Sequence, residues 1–178
     1  MSGVRAASPA PKFTKYYMLL ISYRGIYDGQ NLEQANTPNQ LGSAFNHGFA
    51  CMVDAWRVDN KLYLGSEQPL TEVSAEYLRG GKFWINARNN DMYTWLQNQP
   101  SNLYPNYFVL PVPTPEYVTT SSGYLWTPGT VPINNNSIVF LPEIQDRGLL
   151  STVKLRCYGI CSIYLTFIRR TRNEGVWY

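Results

Sequence analysis

The chain has 178 residues, a length that suits one domain able to bury its own core. Charged residues make up only 15% and aromatic residues another 15%, so many amphipathic side chains must be buried in the core or in contacts with other proteins. A scattered net charge of +3 gives no basis for nucleic-acid binding, and no run of 18 apolar residues predicts a membrane span.

The first fifteen residues predict an extension outside the folded domain. They carry Arg5, Lys12 and Lys15, no acidic residue, and otherwise mostly serine, alanine and proline. This composition suits an organellar targeting tail, although the prolines oppose an amphipathic helix, and a plain flexible extension is the alternative. We predict one domain over residues 16–172, a short tail over 173–178, and no second domain.

The first half of the chain predicts short apolar strands between helices. Thr37 and Pro38 suit the N-cap and first position of a helix, and Gly48 suits its end. The predicted elements are a strand over 16–22, a helix over 38–47, strands over 50–58 and 61–64, a short helix over 75–78, a strand over 82–86 and a helix over 91–97.

The second half is dominated by proline and by further short strands. Pro111, Pro113 and Pro115 forbid regular pairing and predict an extended loop. The predicted elements are strands over 107–110, 123–126 and 137–141, a helix over 149–156, a strand over 158–162 and a helix over 163–170.

Short strands that alternate with helices or long loops predict parallel strands in an α/β fold. Six or seven such units favour a barrel of the (β/α)₈ type, for which about 250 residues is usual. We therefore predict a compressed or incomplete TIM-barrel-like fold of short parallel strands, in which loops replace several helices. In such a fold the functional residues lie at the C-terminal ends of the strands.

Three cysteines, Cys51, Cys157 and Cys161, cannot form a disulfide framework, and the odd count favours a reducing compartment. His47 is the only histidine, so buried structural thiols are favoured over a metal site. The basic cluster over 169–172 is predicted to close a helix, with a phosphate or anionic-lipid contact as the alternative.

Four short polar motifs lie between residues 19 and 69. They are Tyr23-Arg24-Gly25, Ala35-Asn36-Thr37-Pro38, Met52-Val53-Asp54 and Ser66-Glu67-Gln68-Pro69. Their order and spacing resemble the glycerophosphodiester phosphodiesterase family, whose pattern is His-Arg-Gly, Glu-Asn-Thr, Glu-x-Asp and His-Asp. Later segments, among them 84–89, 123–127, 136–143 and 157–162, resemble a short branch of these proteins, so the likeness covers roughly residues 18–165.

The resemblance implies roles for these positions. In the family the two histidines act as general acid and base, and two glutamates and the aspartate hold a divalent metal. Tyr23 and Ser66 stand at the histidine positions, and Ala35 and Met52 stand at the glutamate positions. By this resemblance, Arg24, Asn36 and Asp54 match the residues of the family pattern. Arg88 stands at the position where the family brings a lysine into the pocket.

The residues that remain predict a non-catalytic pocket. Tyrosine titrates near 10 and serine is no useful acid or base at neutral pH. Asp54 alone cannot hold Mg²⁺ or Ca²⁺ well, although Glu67 can in principle add a second carboxylate. We predict no catalytic residue, no metal and no cofactor. The residues of the predicted vestigial pocket are Tyr23, Arg24, Asn36, Asp54, Ser66, Glu67 and Arg88.

Two interpretations of these residues stay open at this point. Arg24 and Asp54 can form a buried ion pair that fixes the barrel mouth, or Arg24 and Arg88 can bind a phosphate. Asn36 is predicted to be a loop and cap residue, and His47 is predicted to lie within a helix away from the pocket.

The sequence thus predicts an inactive phosphodiesterase-like protein that serves as a structural or accessory subunit of a large assembly. The predicted partners are other protein subunits, not nucleic acid. The predicted location is intracellular, with the mitochondrion favoured by the N-terminal composition and a viral particle as the alternative. Two further hypotheses are a phosphate- or headgroup-binding module and a divergent metal-dependent phosphodiesterase that uses Tyr23, Glu67 and Asp54.

Overall fold

The computed structural model describes residues 18–113, 115–128, 132–143 and 155–174. The predicted N-terminal extension, residues 149–154 of a predicted helix, and residues 175–178 lie outside the described residues. The elements, in chain order, are β1 (Leu19–Tyr23), a 3₁₀ turn (Leu32–Gln34), α1 (Pro38–Asn46), β2 (Ala50–Val58), β3 (Lys61–Leu64), β4 (Thr71–Val73), β5 (Phe83–Ala87), α2 (Asn90–Gln97), β6 (Tyr107–Phe108), β7 (Val118–Thr119), β8 (Leu125–Thr127), β9 (Ser137–Phe140), β10 (Gly159–Ser162) and α3 (Leu165–Glu174).

The strands form one curled, mixed sheet. Parallel ladders join the strands in the order β6-β5-β2-β1-β10-β9-β8. Antiparallel pairing adds β3 to β2, β4 to β3 and β7 to β8. The predicted α/β class and the incomplete barrel are confirmed at this level. The prediction of purely parallel strands is wrong, and the described ladders do not close a full (β/α)₈ barrel.

The inner face of the curl is packed with apolar and aromatic side chains. In each strand every second residue points inward, so Ile21 of β1 is flanked by Ala50 of β2 and Cys161 of β10. The end strands meet through a stack of Phe108 on Trp126, with ring centroids 4.5 Å apart. The inward cluster comprises Ile21, Ala50, Met52, Trp84, Phe108, Trp126, Ile138, Phe140 and Cys161.

A short loop spans the opening between β6 and β8. The backbone N–H of Ser121 donates to the carbonyl oxygen of Tyr107 at 2.8 Å, and the N–H of Tyr107 donates to Oγ of Ser121 at 2.8 Å. The Ser122 hydroxyl donates to Oδ1 of Asn106 at 2.9 Å. The seam of the curl, residues 105–107 with 121–122, is therefore held by loop contacts in place of a strand ladder.

The helices cover the outer face of the sheet. Leu41 of α1 and Met92 of α2 are buried with Val53 and Ile85 of the sheet, and α3 buries Leu165 and Ile168 against Ile160. None of the helices in the described part of the chain is both long and apolar enough to cross a bilayer. The helical layer therefore serves as the outer wall of the core and leaves the strand ends accessible.

Several predicted boundaries are corrected by the structure. Residues 75–78 form turns and not a helix, because the segment ends at Gly80 and its Ala75 carbonyl accepts from the Tyr104 hydroxyl at 2.8 Å. The strand predicted over 123–126 begins only at Leu125, since Gly123, with a φ of 84°, belongs to the preceding turn. The strand predicted over 107–110 ends at Phe108, because the Leu110 N–H donates to the Asn86 side chain. β4, β7 and the 3₁₀ turn were not predicted.

Candidate functional site

A cleft of about 350 Å³ opens at the C-terminal ends of the parallel strands. It lies between the loop after β1 and the loop that joins β3 to β4. Four residues of the predicted pocket, Arg24, Asn36, Ser66 and Glu67, line it together. Tyr23, Asp54 and Arg88 lie outside its lining. The lining residues are Arg24, Leu32, Glu33, Ala35, Asn36, Thr37, Gly65, Ser66, Glu67, Gln68, Leu70 and Thr71.

Arg24 reaches the cleft from a tight turn at the end of β1. Its φ of 56° is left-handed, a conformation that costs a non-glycine residue about 1–2 kcal/mol. The turn is fixed by three backbone contacts: Arg24 N–H to the Met52 carbonyl at 3.0 Å, Ile26 N–H to the Tyr23 carbonyl at 3.0 Å, and Asn36 N–H to the Arg24 carbonyl at 2.7 Å. Gly25 has to be glycine, because a Cβ there would lie 3.0 Å from the backbone of Gln40 and Leu41.

Asp54 lies behind Arg24 and is completely buried. Nη2 of Arg24 lies 2.6 Å from Oδ2 of Asp54, and Nδ2 of Asn86 donates to Oδ1 at 2.6 Å. Oδ1 of Asn86 in turn accepts from the Leu110 N–H at 2.9 Å. The predicted ion pair between Arg24 and Asp54 is therefore present. Oδ1 is hydrogen-bonded to Asn86, whereas Oδ2 has the Arg24 charge beside it but no hydrogen bond.

Asn36 joins the loop after β1 to the centre of β2. Its Nδ2 donates to the Asp54 carbonyl at 2.8 Å, and its Oδ1 accepts from the Asp54 N–H at 3.0 Å. Asn36 is buried and has a φ of 64°, which asparagine tolerates better than most residues. The cap of α1 is Thr37, whose hydroxyl accepts from the Gln40 N–H. The prediction that Asn36 serves as a cap is thus wrong, while the predicted Thr37 cap is confirmed.

Burial dominates the titration of this site. It raises the pKa of Asp54 above its ordinary value, although the charge of Arg24, the Asn86 hydrogen bond and the more distant charge of Arg88 oppose the shift. Burial also raises the pKa of Tyr23 to about 12. The Tyr23 phenol therefore stays protonated at neutral pH and is unsuited to act as a base.

Arg88 lies beside this network without entering the cleft. Its N–H donates to the Ala55 carbonyl at 2.9 Å, and its guanidinium lies 5.6 Å from the centre of the Trp56 ring. Its Nε–H is buried without an acceptor, as is that of Arg24. The structure thus brings Arg88 near Asp54, and Arg88 is not among the residues that line the described cleft.

Ser66 and Glu67 sit on the opposite wall of the cleft. The preceding residue, Gly65, donates its N–H to the Asp54 carbonyl at 3.3 Å, and its carbonyl accepts from Nε1 of Trp56 at 2.6 Å. A Cβ at Gly65 would collide with the Gln68 carbonyl oxygen, so the turn requires glycine. The Glu67 side chain is exposed and forms no ion pair within the described residues.

The donor set is poor in metal ligands. Over the described ranges, no group of three or more His, Cys, Asp and Glu side chains lies close enough together to hold a metal ion. Of the two Asp54 oxygens, Oδ1 accepts a hydrogen bond from Asn86, and Oδ2 is buried against the Arg24 guanidinium without a hydrogen bond. Hard cations such as Mg²⁺ and Ca²⁺ require several oxygen ligands, so the side chains here do not fit such an ion.

Sequence analysis did not assign a role to three polar residues near the strand ends. Asn86 holds Asp54, Glu33 lines the cleft, and the Glu143 carboxylate accepts from the Ser162 hydroxyl at 3.1 Å and the Ile163 N–H at 3.0 Å. A polar residue at an inward position of the apolar strand FWINA was a usable signal for Asn86. Glu143 lies three residues after the apolar strand β9 and offered a similar signal, whereas Glu33 offered none.

The remaining candidate residues lie away from the cleft. His47 caps the end of α1, is exposed, and places its ring 4.7 Å from that of Tyr27. The three cysteines are free thiols. Burial raises the pKa of Cys51 to about 12 and that of Cys157 to about 11, so both thiols are protonated at neutral pH. Cys51 and Cys161 are buried as predicted, whereas Cys157 is only partly buried.

Comparison with protein-family models, with curated proteins and with solved structures finds no match to this chain. The resemblance to glycerophosphodiester phosphodiesterases therefore remains a prediction from the motifs.

Proposed function

We propose that this chain is a non-catalytic, phosphodiesterase-like protein that acts as a structural or accessory subunit of a larger assembly. The observation that carries the proposal is the state of Asp54. It is the one carboxylate retained from the metal-binding motifs, and its two oxygens are engaged by Arg24 and Asn86 in a fully buried position.

The groups at the two histidine positions support the same conclusion. Burial raises the pKa of Tyr23 to about 12, and Ser66 has no neighbouring histidine that could activate it. A general acid or base works best with a pKa near the operating pH, and neither residue meets this condition. General acid–base help alone is worth about 10²–10⁴ in rate.

The composition of the cleft argues against the alternative of a phosphate- or headgroup-binding module. Arg24 is the basic residue of the lining, and Asp54 already pairs with it. Glu33 and Glu67 add two negative charges to the same lining, which repel an anion. The alternative of a divergent metal-dependent phosphodiesterase would require Asp54 to exchange Arg24 or Asn86 for a metal ion.

A hydrolysis assay tests the absence of catalysis. The purified chain is incubated with glycerophosphodiesters and with Mg²⁺, Ca²⁺ or Mn²⁺, and we expect no turnover above buffer. Turnover that disappears in Asp54→Asn, with the fold retained, would contradict the proposal. Turnover that persists in this variant would indicate a contaminating enzyme.

The accessory role has a separate test. Native purification of a tagged chain from its source is expected to yield a particle larger than the 20.4 kDa monomer, with the chain at a fixed ratio to other subunits. Recovery of the chain only as a free monomer would contradict the role in an assembly.

A further inference from the structure

Large apolar side chains that remain exposed gather at one end of the sheet. Leu32 and Leu70 are 57% and 67% exposed, and both line the cleft. The others are Val58 at the end of β2, Val109, Val112 and Tyr117 on the segment between β6 and β7, and Phe167 in the first turn of α3. Single exposed apolar residues are ordinary, but their concentration at one end of a structure marks an interaction surface.

Among the described residues, the unpaired charges at this end are mainly negative. Glu33 and Glu67 in the cleft, and Asp59 and Glu116 on neighbouring loops, form no ion pair within the described residues. Three basic side chains here are neutralised: Arg24 pairs with Asp54, Arg57 with Asp91, and Lys61 with Glu72. Arg88 has no ion pair within the described residues, and its guanidinium lies over the Trp56 ring.

The opposite end of the sheet has the reverse character. Lys82 precedes β5, Arg156 precedes β10, and Arg169 of α3 donates to the His47 carbonyl at the base of β2. The molecule is therefore polarised along its strands, although its net charge is only +3. A partner at the C-terminal end meets apolar groups and negative potential together.

We propose that the C-terminal end of the sheet is a docking surface for a segment of another protein that carries lysine or arginine between apolar residues. The basic side chain enters the cleft beside Glu33 and Glu67, and its apolar neighbours cover Leu32 and Leu70. This inference rests on the proposed accessory function and specifies the chemistry of the partner.

The extent of the surface favours a protein segment over a small molecule. A cleft of about 350 Å³ is near the lower limit of small-ligand pockets, about 300 Å³, and accepts a side chain without difficulty. Val109, Val112 and Tyr117 lie on the loop after β6, outside the cleft lining. A ligand confined to the cleft would leave these side chains uncovered.

A display experiment on the full chain tests the proposal. A library of random dodecapeptides on phage is selected against the immobilised protein, and the most enriched peptide is synthesised and titrated by calorimetry. We expect enriched sequences with lysine or arginine next to leucine, isoleucine, valine or phenylalanine. We also expect the affinity to fall as salt rises.

Paired variants locate the binding site. We expect two double variants each to weaken binding of the enriched peptide by about tenfold or more. Glu33→Gln/Glu67→Gln removes the charge attraction, and Leu32→Ser/Leu70→Ser removes the apolar contact. Glu76→Gln, a change at an exposed carboxylate that pairs with Arg79 outside the cleft, is the matched control and is expected to alter affinity by less than about twofold. All substituted side chains are exposed, and circular dichroism verifies the fold of each variant.

Several outcomes would overturn the inference. They are the absence of enrichment, the enrichment of acidic or uncharged peptides, and binding that neither double variant weakens. Acidic peptides whose binding is lost in Arg24→Ala would show that the cleft accepts anions. Self-association that the same double variants abolish in sedimentation would assign the surface to a second copy of this chain. None of these results affects the outcome of the hydrolysis assay. The docking surface and the absence of catalysis are therefore tested independently.

Discussion

The interior of the curled sheet and its C-terminal end are built by the same strands with opposite chemistry. On β2, the inward-facing residue Met52 is followed two positions later by Asp54. On β5, Trp84 is followed in the same way by Asn86. The interior is held by ring contacts such as the stack of Phe108 on Trp126, while the polar site at the end is held by the buried ion pair of Arg24 with Asp54 and its hydrogen bonds. A single step of the strand pleat therefore separates packing from a polar site.

The interior should be the more costly region to disturb. Trp84 is fully buried and its ring contacts those of Tyr124, Trp126 and Tyr158, so Trp84→Ala is expected to lower the free energy of unfolding by about 3–5 kcal/mol. Urea unfolding followed by circular dichroism measures the loss. Trp95→Ala on α2, where the ring is only partly buried, is the matched control and should cost less. Equal losses would mean that the inner cluster is no more tightly packed than the helical layer.

At the polar end, the buried ion pair should dominate. Arg24→Ala leaves Asp54 buried without its countercharge, and we expect a loss of about 3 kcal/mol in the free energy of unfolding. Arg57→Ala is a close control, because Arg57 also pairs with an aspartate and is similarly exposed, at 21% against 19% for Arg24. Its partner Asp91 is 52% exposed, so this loss should stay below about 1 kcal/mol. Similar losses in both variants would show that Asp54 is solvated or protonated in the folded protein.

Asn36 links the two regions through the backbone of Asp54. Asn36→Gly removes two buried hydrogen bonds but tolerates the left-handed backbone, and we expect a loss of about 1–3 kcal/mol. Asn36→Ala should lose about 1 kcal/mol more, because alanine is strained at a φ of 64°. Chemical denaturation of the two variants separates the hydrogen-bond contribution from the backbone contribution. A more stable alanine variant would contradict the left-handed conformation.

The raised pKa of Asp54 gives stability a defined pH dependence. The folded state binds the Asp54 proton more tightly than the unfolded chain does, so protonation of Asp54 stabilises the fold. This stabilisation is complete below the pKa that Asp54 has in the unfolded chain, and it is lost as pH rises through the pKa that Asp54 has in the folded protein. The free energy of unfolding of the native chain, measured relative to Asp54→Asn, should therefore fall as pH rises through this range and then level off. Urea titrations of both proteins across the acid range test the sign. A relative stability that rises with pH would mean that Arg24 and Asn86 outweigh burial.

The smallest effect on stability is expected for the ion pair that joins the antiparallel strands β3 and β4. Lys61 and Glu72 pair at 2.9 Å, but both side chains are more than half exposed, so Lys61→Gln should leave the free energy of unfolding almost unchanged. The pair should weaken further at high salt. A larger loss would show that the hairpin is coupled to the core.

The sequence predicts the strands of this protein better than their pairing. Apolar runs such as 50–58, 82–86 and 137–141 locate β2, β5 and β9, because burial on both faces leaves a continuous apolar pattern. The antiparallel additions β4 and β7 are only three and two residues long, too short for any periodicity to mark them. Each pairs with a strand that is its neighbour in the chain, β3 or β8, through a turn whose geometry the residues do not specify.

The candidate site was predictable where a charge had to be buried. Arg24 and Asp54 each follow or interrupt an apolar strand, so their pairing could be inferred from the cost of a lone buried charge. The separation of Arg88 from the cleft could not be inferred, because its guanidinium lies over Trp56. The function of the motifs stays a prediction, since their likeness to a catalytic pattern concerns residue order and not the contacts that the side chains make.

The seam between Tyr107 and Ser121 gives the sheet a point of local opening. Only a loop joins β6 to the far end of the curl, whereas β1 and β2 each lie between two parallel neighbours. Amide protons at the seam should therefore exchange with solvent long before those of Ile21 and Val53. Local opening of the seam would admit water to the Phe108–Trp126 stack while the rest of the protein stays folded.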